Sequence, residues 1–213
     1  GDRSSAEYSV TSSSDFRAVC FGSGANNNSD KEKILETVIR ESRIPVVLDA
    51  EALSLLSAVS DLRGGRQQAD GLISEKNAPV IITPHIGEFV KLTGISKAEA
   101  EAEPVKCALE CAGSFDVICV LKGPETVVAS PAGRFYRNKS GNQGLAQAGS
   151  GDVLTGMVTA MLSFVKDPFE AACMAVFAHG LAADELAKTY SLQCLPLEKI
   201  QEAMDTVFHN HGY

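Results

Sequence analysis

Short apolar runs alternate with longer amphipathic stretches along the first half of the chain. Runs that are almost continuously apolar predict strands buried on both faces of a sheet, and the stretches between them predict helices. This alternation is typical of an α/β protein whose mostly parallel sheet is covered by helices. The predicted strands are residues 18–22, 46–49, 80–83 and 117–122, and the predicted helices between and after them are residues 31–41, 51–57, 88–93 and 97–112.

The pattern changes in the second half of the chain. Residues 126–129 and 134–138 flank a short turn and predict an antiparallel hairpin at the edge of the sheet. Three helices are predicted after it, at residues 152–165, 169–189 and 197–208. The predicted fold class is therefore a three-layer α/β domain over residues 18–213. We expect the Ser-rich residues 1–17 to be poorly ordered and the polar residues 60–77 to form a loop.

Composition narrows the class of protein. The chain has 213 residues, of which 45% are hydrophobic, and this is enough for one buried core. Its net charge of −8 and its scattered basic residues argue against nucleic acid as a partner, and no apolar run is long enough to span a membrane. The six cysteines form no CxxC pair and no secretory signal is visible, so we expect free, mostly buried thiols and a cytoplasmic location.

The most informative segment is the glycine-rich stretch at residues 141–152, which runs directly into an apolar helical pattern. A glycine-rich loop that opens a helix exposes backbone N–H groups at the positive end of the helix dipole, where phosphate binds. Gly149 and Gly151 allow a ligand to approach closely, and Asp152 lies in the first turn. Asp152 is placed to act as a base beside a phosphoryl group, or it is an ordinary helix-stabilising acid.

Further polar residues end the predicted parallel strands. Asp49, His85 and Lys122 each lie at or just beyond the end of a different strand, and Glu88 follows His85 by one helical turn. Because the carboxyl ends of parallel strands meet at one edge of a sheet, we expect these residues to converge on one site. Taken singly, His85 and Glu88 are also common at the start of a helix, and Lys122 could simply cap the sheet edge.

Four segments together resemble the ADP-dependent NAD(P)H-hydrate dehydratases, a branch of the ribokinase-like superfamily. These segments are residues 46–53, 83–89, 121–123 and 138–156, and the resemblance spans nearly all of residues 18–208. It implies a ribokinase-like fold and a lyase that repairs nicotinamide nucleotides. In that reaction the (S) form of hydrated NADH or NADPH returns to NADH or NADPH, after its ring hydroxyl is phosphorylated and phosphate is eliminated.

The resemblance also implies roles for individual residues. Asp152 would be the catalytic base, and Gly24, His85 and Asp152 would contact the hydrated dinucleotide. Glu88 would lie near Mg²⁺, the expected cofactor, and ADP or possibly ATP would be the co-substrate. The implied nucleotide-binding residues are Lys122, Gly123, Pro124, Glu125, Thr126, Gly149 and Gly151.

The family begins with a further strand, a glycine-rich turn and a helix, and nothing in residues 1–17 resembles them. We therefore expect the domain to lack that unit, and we expect a homo-oligomer. Two alternatives stay open. One is an ATP-dependent kinase of a small hydroxylated molecule, which would yield a stable phosphoester. The other is a nucleotide-binding protein without turnover.

Overall fold

A mixed sheet forms the centre of the fold. The structure is a computed structural model that describes residues 16–22, 30–62 and 71–211. The strands within these residues are β1 (Val19–Phe21), β2 (Val46–Leu48), β3 (Val80–Ile82), β4 (Ile118–Leu121), β5 (Val127–Ala129) and β6 (Phe135–Arg137). They are ordered β1 to β6, parallel up to β4 and antiparallel from β4 to β6. The predicted parallel sheet with an antiparallel edge hairpin is confirmed.

Helices cover both faces of this sheet. They are α1 (Asp30–Glu41), α2 (Glu51–Leu62), α3 (Ile86–Thr93), α4 (Lys97–Ala102), α5 (Pro104–Phe115), α6 (Ser150–Met161), α7 (Pro168–Leu186) and α8 (Ile200–His211). Across the described ranges of the chain, none of them combines the length and the apolar content that a membrane crossing requires. A helical turn at residues 71–74 lies in a segment predicted as a loop.

The alternation of side chains along the strands divides the core into two parts. Successive residues of a strand point to opposite faces of the sheet. Val46 and Leu48 of β2 accordingly pack beneath α1 to α5, whereas Val47 packs beneath α6 to α8. The helices on one face, the sheet and the helices on the other face form the three predicted layers, and an apolar core lies on each side of the sheet.

Some element boundaries differ from the prediction for local reasons. The helix predicted over residues 97–112 is two helices, because Pro104 lacks the N–H that a continuous helix needs and instead occupies the first position of α5. Within the described residues β1 lies at the edge of the sheet rather than inside it. All six cysteines are free, as predicted, but only Cys107, Cys111 and Cys119 are fully buried.

The carboxyl ends of the parallel strands bring distant residues together. Asp49 follows β2, Thr83 follows β3 and Lys122 follows β4, all at the same edge. Backbone hydrogen bonds continue past the strands: Thr83 N donates to Leu48 O at 3.1 Å and Lys122 N donates to Pro84 O at 2.8 Å. The fold therefore holds three polar side chains side by side, as the parallel arrangement predicts.

Candidate active site

A cleft of about 820 Å³ opens at this edge of the sheet. Its walls are the ends of β3 and β4, the loop from residue 138 to residue 148, the first turns of α6 and the middle of α7. Residues predicted to bind ligands supply part of the lining: His85, Lys122, Gly123, Pro124, Thr126 and Gly151. The structure thus brings three separate motifs of the sequence to one cavity.

Lys122 is held in this cleft by a buried carboxylate. Its ammonium donates to Asp49 Oδ1 at 2.8 Å, and the Thr155 hydroxyl donates to Asp49 Oδ2, also at 2.8 Å. Thr83 Oγ1 lies 3.4 Å from Thr155 Oγ1. Asp49 is only 2% exposed, so both of its oxygens need such partners. Thr83 and Thr155 were not singled out from the sequence, because nothing in their local pattern distinguishes them from core threonines.

The first turn of α6 faces Lys122. Gly149 occupies the position before the helix with a φ of +92°, a backbone conformation that favours glycine. Ser150 N donates to Gln147 O at 3.3 Å, but no side chain caps the helix, so the amides that follow stay available to a ligand. A Cβ on Gly151 would lie 3.2 Å from Lys122 Nζ, so the ammonium and the helix end share one small region. Both features attract anions.

Asp152 lies at the third position of α6, one residue beyond Gly151. It is exposed, and its carboxylate makes no hydrogen bond or ion pair with the other described residues. A carboxylate in this state can accept a proton from a bound hydroxyl group. Its predicted role as the base is compatible with this position and stays a prediction.

His85 and Glu88 together cap α3. His85 Nδ1 accepts hydrogen bonds from the Gly87 and Glu88 amides at 2.9 and 3.3 Å, and Glu88 Oε2 accepts from His85 N at 2.8 Å. Because Nδ1 accepts, the neutral imidazole carries its proton on Nε2. The His85 side chain is exposed and lines the cleft, whereas the Glu88 side chain is 13% exposed and does not line it. Substrate contact by His85 and a magnesium contact by Glu88 stay predictions.

Asp152, Glu125 and Gly149 are not among the residues that line the cleft. Glu125 forms an ion pair with Arg137 of β6. Gly24 lies outside the described residues. In the described part of the chain, no three His, Cys, Asp or Glu side chains are grouped as a metal site would require.

The wall opposite Lys122 is built by contacts between α7 and the loop that follows β6. Asp184 accepts hydrogen bonds from Gly141 N at 2.8 Å and from Asn142 Nδ2 at 2.9 Å. A Cβ on Gly180 would lie 2.2 Å from Ser140 Oγ and 2.6 Å from the Ser140 backbone, so only glycine allows the two segments to approach this closely.

His179 lines the same wall from α7. It is 6% exposed, and its Nε2 has no hydrogen-bond partner among the described residues. Burial lowers the pKa of His179 to about 4, because the charged imidazolium would lose its hydration. At neutral pH His179 is therefore uncharged.

The sheet order and the three layers define an α/β protein of the ribokinase-like class. A crystal structure of the Bacillus subtilis ADP/ATP-dependent NAD(P)H-hydrate dehydratase, co-crystallized with ATP and Mg²⁺, superposes with a TM-score of 0.77 and 31% identity over 91% of this chain and 64% of that one. A Pyrococcus horikoshii hydroxyethylthiazole kinase shares the fold at a TM-score of 0.60, with 20% identity over 86% and 68% of the two chains.

Sequence comparison identifies the family. The NAD(P)H-hydrate dehydratase family model matches residues 2–205, and the chain belongs to this family. It is 39% identical to a bifunctional NAD(P)H-hydrate repair enzyme of Thermofilum pendens over 84% of this chain and 32% of that one. It is 32% identical to the Bacillus subtilis ADP-dependent (S)-NAD(P)H-hydrate dehydratase over 91% and 64% of the two chains. The chain thus spans between about a third and two thirds of these two relatives.

Proposed function

We propose that this protein dehydrates (S)-NADH hydrate or (S)-NADPH hydrate at the expense of ADP. The observation that carries this proposal is the Lys122 ammonium, which lies beside the uncapped first turn of α6 inside the cleft. Family membership supplies the substrate class. ATP as an alternative co-substrate belongs to the same proposal, because the Bacillus subtilis relative is described as ADP/ATP-dependent.

The proposed reaction has two steps, a phosphoryl transfer and an elimination of phosphate. The ring hydroxyl of the hydrated nicotinamide attacks the terminal phosphorus of ADP, and AMP leaves. The new phosphoester then breaks at its carbon–oxygen bond, inorganic phosphate leaves, and a proton lost from the neighbouring ring carbon restores the double bond. The phosphoryl group passes through a strongly charged transition state, which positive groups stabilise.

Each of the proposed site residues has its own role in this reaction. Lys122 and the amides of Gly149 and Gly151 bind the phosphates, and Gly123, Pro124 and Thr126 line the nucleotide side of the cleft. Asp152 takes the hydroxyl proton, because it adjoins the anion-binding turn and its carboxylate has no competing described partner. His85 lines the cleft across from this turn and contacts the dinucleotide.

Mg²⁺ fits this arrangement as an ion carried chiefly by the nucleotide. It would neutralise charge on the phosphates, with Glu88 as the predicted protein carboxylate. Glu88 Oε2 accepts from His85 N in the α3 cap, and Oε1 lies 3.5 Å from His85 Nε2, so a magnesium contact through Oε1 would take the place of this neighbour. A cytoplasmic location and a homo-oligomeric state remain further predictions of the same proposal.

The test is recovery of reduced-nicotinamide absorbance when the protein meets chemically hydrated NADH with Mg²⁺ and either ADP or ATP. Recovery with release of AMP and inorganic phosphate in equal amounts is the expected result with ADP. A stable phosphoester instead of free phosphate would indicate a small-molecule kinase. Nucleotide binding without any product would indicate a protein that binds nucleotide and does not turn over.

A further inference from the structure

We infer that Asp49 is a positioning residue, which fixes the Lys122 ammonium at a set distance from the first turn of α6. This inference rests on the proposed function and deepens it. Asp49 is 2% exposed and does not line the cleft, so its carboxylate is not placed to touch a ligand. It acts through the two groups to which it is bonded.

Asp49 connects both parts of the anion site. One carboxylate oxygen accepts from Lys122, and the other accepts from Thr155, which belongs to α6 itself. Thr155 follows Gly151 by four residues, so the two lie on the same side of the helix. A shift of Lys122 relative to α6 would therefore break one of the two hydrogen bonds to Asp49.

The backbone of Asp49 gives this carboxylate a rigid base. Asp49 N donates to Phe21 O at 3.2 Å, and Ala52 N donates to Asp49 O at 3.0 Å. A Cβ on Gly22 would lie 1.8 Å from Asp49 O, so the end of β1 packs directly against this peptide. Ala50 has a φ of +47°, and the surrounding contacts hold this uncommon backbone conformation. Three contacts thus hold the backbone that carries the carboxylate.

Lys122 needs such an anchor because its side chain is long and flexible. Its backbone is fixed by the Pro84 carbonyl and by a parallel bridge with His85, but four rotatable bonds separate that backbone from the ammonium. A lysine ammonium has three donors, and Asp49 uses one of them. The remaining donors can bind phosphate oxygens while the first keeps the group in place.

The contact could instead be a structural ion pair that competes with the ligand, and the two roles predict opposite results. If Asp49 positions Lys122, the substitution Asp49→Asn weakens nucleotide binding because the ammonium is no longer confined. If Asp49 competes with the nucleotide, the same substitution frees Lys122 and strengthens binding. Removal of the charge therefore distinguishes them by the sign of the change.

The experiment measures binding of ADP with Mg²⁺ by calorimetry in Asp49→Asn, Lys122→Met and the double variant. We expect Asp49→Asn to weaken ADP about tenfold, in line with the loss of one charge-assisted contact. In the Lys122→Met background the same change should leave the affinity within about twofold, because two residues that act through one contact are not additive. A full Asp49→Asn effect in that background, or tighter binding in the single variant, overturns the inference.

Two further variants keep the result interpretable if Asp49→Asn does not fold. Thr155→Val removes the second bond to Asp49 without changing any charge, and we expect it to weaken ADP about threefold, with unchanged affinity counting against the inference. Asp167→Asn is a matched control, since Asp167 pairs with Arg134, neither residue lines the cleft, and the change should leave ADP binding unchanged. Failure of the unsubstituted protein to bind ADP would refute the proposed function. Normal ADP binding that neither Asp49→Asn nor Thr155→Val changes would refute only this inference.

Discussion

α3 and α6 both begin at the edge of the sheet where the cleft lies, but their first turns differ. In α3 the His85 imidazole accepts hydrogen bonds from two backbone amides, and Glu88 completes a reciprocal cap. In α6 the corresponding position is Gly149, which brings no side chain, and the Lys122 ammonium lies nearby instead. A helix start that is satisfied internally stabilises the fold, whereas one left open beside a cation is suited to bind an anion.

The largest expected effect tests the open helix start directly. Asp152→Asn should lower kcat about 10²- to 10⁴-fold, because the amide cannot accept the hydroxyl proton, and should leave ADP affinity nearly unchanged. Steady-state kinetics and calorimetry on the same preparation measure both quantities. Asp205→Asn, an exposed acid on α8, is the matched control and should have wild-type kinetics. Substantial activity in Asp152→Asn would show that another group is the base.

The next prediction concerns the buried His179 in the cleft wall, outside both helix starts. Burial lowers the pKa of His179 to about 4, below the value of about 6.5 expected in the unfolded chain, so the unfolded state binds more protons between these values. The stability associated with neutral His179 is complete above about pH 6.5 and is lost as the pH falls toward 4. The expected loss is about 3 kcal/mol, measurable by urea unfolding across this range.

His179→Gln should flatten that part of the pH profile, because glutamine has no proton to gain. His209→Gln, at an exposed histidine of α8, should leave it in place. A pH profile of the unfolding free energy that is unchanged in His179→Gln would contradict the role of His179 in this loss of stability.

Two glycines with positive φ values allow the effect of backbone strain on stability to be distinguished from an effect on ADP binding, and the expected changes are smaller. Gly149 and Gly94 both have positive φ values, +92° before α6 and +70° after α3. Alanine at either position should cost about 1–2 kcal/mol of stability, because its Cβ disfavours this conformation. Only Gly149→Ala should also weaken ADP, by several-fold, since it disturbs the amides of the anion turn. Equal ADP affinities in the two variants, measured by calorimetry, would remove this turn from the nucleotide site.

The smallest effect tests the capped helix start. His85→Ala should lower the unfolding free energy by about 1 kcal/mol through loss of the α3 cap, and His85→Asn should recover most of it because asparagine caps helices well. Both variants should raise the KM for the hydrated dinucleotide if His85 contacts it. A KM that recovers together with stability in His85→Asn would mean that His85 acts only as a cap.

Local sequence features predicted several of the residues that line the cleft, but they did not predict the contacts between them. The glycine-rich segment predicted a helix start near Gly149, and the apolar strand before Lys122 predicted that the lysine lies at the sheet edge. The sequence does not predict the complete capping box at His85, because histidine is an unusual residue at that position.

The order of strands and helices, the two-faced core and the family were determined by the sequence itself, because apolar periodicity and motif spacing are properties of short segments. Only the tertiary structure decided that Asp49 joins Lys122, 73 residues away, and Thr155, 106 residues away. Such contacts depend on how strands align and which way each side chain points, and no local pattern encodes either. A buried carboxylate needs hydrogen-bond partners, and the partners of Asp49 are set by how the fold arranges the strand ends. Its contact with Lys122 and Thr155 therefore follows only from the tertiary structure.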